Sequence, residues 1–65
     1  MRDEHLETAI ITFLQNNPQA HTVEELAFHF TEPQSVVLGS LHSLLNDGVV
    51  TIGERGWSIK PRGRP

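Results

Sequence analysis

Lys60, Arg62 and Arg64 stand near the end of the sequence, separated by Pro61 and Gly63 and followed by Pro65, with no acid among them. Cations two residues apart on a proline-stiffened, extended backbone suit one chemistry above others, the neutralisation of a polyanion. Arg55, between Gly53 and Gly56, is the other base nearby. Residues 53–65 set four bases against one acid, net +3, whereas residues 1–52 set one base against seven acids, net −6. A polyanion would therefore be met by the C-terminal part, and the acidic body reads as plain solubility.

Other chemistries find little support. His5, His21, His29 and His42 fall at no metal-ligand spacing, and cysteine is absent, so disulfides, thiolate sites and cysteine nucleophiles drop out together. Ser35, Ser40, Ser43 and Ser58 lie in no nucleophile motif, and no glycine-rich phosphate loop follows a strand. Glu24 and Glu25 are better explained by helix capping than by acid–base catalysis. Sixty-five residues leave little room for a substrate cleft. No enzyme activity, metal or cofactor is expected. The sequence holds no apolar run long enough for a signal peptide or a membrane span. A cytoplasmic protein with no membrane partner is the expectation.

The elements that must position these residues read as one domain over residues 1–60 with a basic tail over 61–65. The first helix is expected over residues 3–16, with Leu6, Ile10, Phe13 and Leu14 as its apolar stripe and Asn17-Pro18 as its stop. Ile11 lies off that stripe, at a rim or in a dimer contact. His21 stands in a short linker from which one residue could pair with a later strand. Thr22-Val23-Glu24-Glu25 is a capping box that opens the second helix, whose Val23, Leu26, Ala27 and Phe30 face the core. Phe28 and His29 point away, so Phe28 is either covered by the first helix or the tail, or it belongs to an interface.

Residues 33–48 carry the third helix, with Val37, Leu41, Leu44 and Leu45 on one face and Gly48 as its stop. Pro33 suits the first helical position and pushes Glu32 out of the α region, so Glu32 or Thr31 should cap. A turn this short forces the two helices to cross steeply. Val49–Ile52 and residues 57–60 then read as a hairpin around a four-residue loop, Gly53 to Gly56, with Arg55 at its tip. Val50, Ile52, Trp57 and Ile59 should floor the core, Trp57 as its anchor.

This order, with Phe30 and Val37 seven residues apart, then Leu41, Leu44, Gly48, Val50 and Gly56-Trp57-Ser58-Ile59, resembles the winged helix-turn-helix superfamily over about Leu6 to Lys60. The resemblance implies a small α+β fold, three helices plus a C-terminal β-hairpin wing. It also implies that the third helix enters a DNA major groove while the wing follows the backbone or minor groove. Carried onto this chain, the groove-facing residues are Gln34, Ser35, Val36, Gly39, His42 and Ser43. Gln34 suits an adenine edge, Ser35 and Ser43 suit phosphates or bases, and Val36 suits a thymine methyl. Gly39 costs about 1 kcal/mol of helix propensity against Ala, which close approach of another backbone would explain.

The third helix departs from that pattern in carrying no Lys or Arg, although phosphate neutralisation supplies most DNA affinity. The tail compensates. Arg62-Gly63-Arg64-Pro65 resembles the core of an AT-hook, an extended segment that lies in the minor groove of A·T-rich DNA. The expected function is thus DNA binding by a transcriptional regulator or nucleoid-associated accessory factor. Double-stranded A·T-rich DNA would be held by Arg55, Lys60, Arg62, Gly63 and Arg64, with a homodimer supplying site selectivity. The rival is a protein-binding winged helix, in which the uncharged third-helix face and Phe28 dock a protein partner.

Overall fold

In a computed structural model, which describes residues 3–61, the chain forms α1 (Glu4–Asn16), α2 (Val23–Phe30), α3 (Gln34–Asn46), β1 (Val50–Gly53) and β2 (Gly56–Ile59). Three helices followed by an antiparallel two-stranded hairpin is the small α+β, winged-helix-like layout expected. Arg62, Gly63 and Arg64 lie outside the described residues.

Asp3 caps α1 rather than belonging to it, its carboxylate accepting from the Leu6 amide at 3.0 Å. At the far end the Asn17 backbone and side-chain amides both donate to the Phe13 carbonyl, each at 2.9 Å. The capping box of α2 is complete: Thr22 Oγ1 accepts from the Glu25 amide at 3.1 Å, and Glu25 Oε1 accepts from the Thr22 amide at 3.0 Å. The start of α3 differs from expectation. Pro33, extended at φ −60° and ψ 146°, takes the cap position, and neither Thr31 nor Glu32 supplies a side-chain cap. Thr31 is instead spent on ending α2, in the left-handed conformation at φ 56°.

The two helix ends that follow one another share a hydrogen-bond pattern. The Thr31 amide donates to Phe28 O and the Glu32 amide to Ala27 O; likewise the Gly48 amide donates to Leu45 O and the Val49 amide to Leu44 O. Both are Schellman closures, which need a left-handed residue at the centre. Gly48 (φ 78°) adopts it without cost, whereas a β-branched Thr31 gives up about 1–2 kcal/mol.

The core joins Leu6, Ile10 and Leu14 of α1, Leu26 and Ala27 of α2, Val37, Leu41 and Leu44 of α3, and Val50 and Trp57 of the hairpin. Ile11 packs at its rim, with Phe13, Val23, Phe30, Val49 and Ile59. Two expected core residues are not there. Leu45 is 39% exposed, because the buried side of α3 centres on Val37, Ser40, Leu41 and Leu44. Ile52 is 52% exposed. It pairs in register with the buried Trp57, but β2 is flanked by the His21 bridge, whereas Ile52 lies on β1, the edge strand.

The hairpin turn is also tighter than expected. Gly53 pairs with Gly56, leaving Glu54 and Arg55 as a two-residue turn. Gly56 is at φ 130°, and a Cβ there would run into the His21 carbonyl. That close approach comes from a one-residue third strand. The His21 amide donates to Trp57 O at 2.8 Å, and the Trp57 amide to His21 O at 2.7 Å. The bridge ties the α1–α2 linker to the wing.

Candidate nucleic-acid interface

The outer side of α3 is assembled by what its inner side must bury. With Val37, Leu41 and Leu44 sealed in the core, a 3.6-residue repeat leaves Gln34, Ser35, Val36, Gly39 and His42 exposed and Ser43 half-buried. Five of them, Ser35, Val36, Gly39, His42 and Ser43, fall within about 120° of one side of the helix, and Gln34 lies apart. Ser35, Val36, Gly39 and Ser43 line a groove against the start of α1, shared with Asp3, Glu7 and Ser40. Gln34 lies on the opposite flank, in a shallow depression with Glu24, Ala27, Phe28, Thr31 and Glu32. His42 sits near the C-terminal end beside Ser43, Leu45 and Asn46, its ring 5.8 Å from that of Trp57.

Carboxylates flank α3 on both sides, Asp3 and Glu7 along one and Glu24 and Glu32 along the other. The helix itself carries no Lys or Arg. A phosphate backbone would gain no attraction from this face. Glu7 is the element sequence reasoning missed: an acid that is buried at the α1–α3 contact. Its signal was available, since Glu7, Ile10 and Leu14 fall at i, i+3 and i+7 on the buried stripe of α1. A Cβ at Gly39 would meet nothing within 4 Å among the described residues, so no packing among them requires glycine there.

The cations sit on the hairpin. Arg55 is exposed at the tip, in the turn fixed by the Gly53–Gly56 pair. Lys60 is exposed at the base, held there by its amide donating to Val49 O at 2.9 Å. Among the described residues no carboxylate lies within ion-pair distance of either. The strand pair between them spans roughly 10–13 Å, so the two charges mark opposite ends of the wing. Of the sequence-expected site, then, Arg55 and Lys60 share the hairpin, Ser35, Val36, Gly39, His42 and Ser43 share one side of α3 with Gln34 on another flank, and Arg62, Gly63 and Arg64 fall outside the described residues.

The histidines serve other ends. His21 is buried, its Nε2 donating to the Asn17 carbonyl at 3.1 Å and its Nδ1 3.9 Å from Glu25 Oε2. His29 stacks on Phe13 with ring centroids 4.2 Å apart. Among the described residues no three His, Asp or Glu side chains are placed to share a metal ion, and no helix is long and apolar enough to cross a membrane. No family model matches this chain, and neither a curated protein nor a solved structure does.

Proposed function

We propose that this chain binds double-stranded DNA, with a preference for A·T-rich sequence, as a small transcriptional regulator or nucleoid-associated accessory factor of the cytoplasm. The observation that carries the proposal is the placement of its cations. Arg55 and Lys60 stand exposed at the two ends of the wing, clear of every described carboxylate, and Arg62 and Arg64 follow directly in sequence. On this reading the hairpin and the C-terminal arm supply the attraction. Arg62 and Arg64 run into the narrow, strongly negative minor groove, and Gly63 lets the backbone approach its floor. The front of α3 adds contact without charge, through Gln34, Ser35, Val36 and His42, and Gly39 admits close approach of the duplex. Two arginines alone bind weakly, so the domain or a second copy is needed to raise the effective concentration.

Exposure of Phe28, at 89%, favours a second reading in which a protein partner docks on α2 and α3. A chemical-shift map on adding an A·T-rich duplex separates the two. Tail-led binding moves Arg55 and residues 60–65; groove entry moves Gln34, Ser35 and His42 as well. The absence of shifts contradicts DNA binding and leaves the protein partner.

A further inference from the structure

One groove has no part in the DNA reading. Phe13, His21, Glu25, Phe28 and His29 enclose about 400 Å³ between α1 and α2. Its floor is aromatic: the Phe13 ring lies 4.2 Å from His29 and 5.0 Å from His21, centroid to centroid. Phe28 is its wall, and among the described residues no other ring stacks on it. Beyond Phe28, Glu24 and Glu32 line the next depression. An exposed aromatic ring with carboxylates on both sides, and no Lys or Arg on its helix, is a receptor for a cation. Guanidinium fits best, since it stacks on a ring face while donating to a carboxylate.

We infer that this groove, walled by Phe28 with Glu24, Glu25 and Glu32 around it, receives the basic C-terminal segment 60–65 of a second copy of the chain. Charge decides the occupant. A symmetric contact with Phe28 against Phe28 would bring the three carboxylates of each copy together, and like charges oppose that pairing. The complementary charge is in the chain itself: three of its five bases, Lys60, Arg62 and Arg64, fall in the last six residues with no acid among them. Pro61 and Pro65 favour an extended conformation, which lets the guanidinium groups project into a groove at little entropic cost. The contact is therefore heterologous, tail to groove, and repetition of it builds open chains rather than a closed dimer. It stands apart from the DNA proposal, and its test uses no DNA.

Sedimentation of the full chain over a dilution series at low salt gives the readout. The weight-average mass should rise past that of a dimer, with the resonances of Phe28 and His29 shifting together with those of Arg62 and Arg64. About 1 M salt, where the Debye length is about 3 Å, should disperse it. Phe28→Ala and Arg62→Ala/Arg64→Ala should each lower the association constant at least about tenfold, close to the loss of one desolvated cation–π contact. An equimolar mixture of those two variants should associate again and stop at a dimer, because each supplies the half the other lacks. Glu24→Gln/Glu32→Gln weakens association with Phe28 intact, which covers any loss of fold in the alanine variant. Concentration-independent shifts, association unchanged by Phe28→Ala, or a variant mixture that stays monomeric would each overturn the inference.

Discussion

Along α3 the side chains of Val37 and Leu41 are sealed from solvent, while Ser35 and Gly39, two residues behind each, stand in the open. The inner side is under packing control, because a chain this short has one small core and must use its large apolar residues there. The outer side is under no such control: uncharged residues line it, and among the described residues nothing touches the place a Gly39 side chain would occupy. The comparison separates two questions that a helix presents as one. What α3 does for the fold is settled by three or four residues, and what it does for a partner rests with the others. The same division runs through the hairpin. Its β2 strand is locked to His21 at Trp57 by a pair of backbone hydrogen bonds, and its Glu54–Arg55 turn stands exposed.

Substitutions on either side of that division test it. Leu41→Ala should have the largest effect, about 2–5 kcal/mol of stability, because the helix backbone cannot collapse into the space left. In so small a domain that loss approaches the whole of its stability, and a thermal melt at neutral pH should show no cooperative transition. Gly56→Ala should follow at about 2–3 kcal/mol, since it strains φ 130° and presses a methyl group on the His21 carbonyl. Amide exchange at His21 and Trp57 should accelerate more than at Leu26, which reports loss of the bridge rather than of the core. Gly39→Ala has the smallest expected effect and the opposite sign, a gain of about 1 kcal/mol from helix propensity. If α3 approaches a duplex closely, the same variant binds DNA more weakly while melting higher. A variant that is less stable would mean the outer side of α3 is packed after all.

Most of the fold was legible in the sequence because its signals are local. The capping box at Thr22, the Asn17-Pro18 stop and the Gly48 stop each act within one helical turn, and the apolar repeats of α1 and α2 include their buried apolar residues. Misplaced features depend on where an element ends against its neighbours. Leu45 and Ile52 have the right periodicity but lie past the edge of the surface they were expected to cover. Thr31 was a candidate cap for α3, yet closing α2 claimed it first, in a conformation that gives no sequence signal for a β-branched residue. At the candidate interface, the exposure of Arg55, Lys60 and the α3 front could be read from pattern. That Asp3 and Glu7 stand beside Ser35 and Ser43 could not, because it depends on how α1 crosses α3.

The salt dependence of binding to an A·T-rich duplex tests the central claim most directly. Four cations, Arg55, Lys60, Arg62 and Arg64, predict that log K falls against log salt with a slope of about −3 to −4. Arg62→Ala/Arg64→Ala should reduce that slope by about 2 and remove the preference over G·C-rich DNA. Absent binding, binding indifferent to salt, or an arginine variant that binds as the parent chain does would contradict the account.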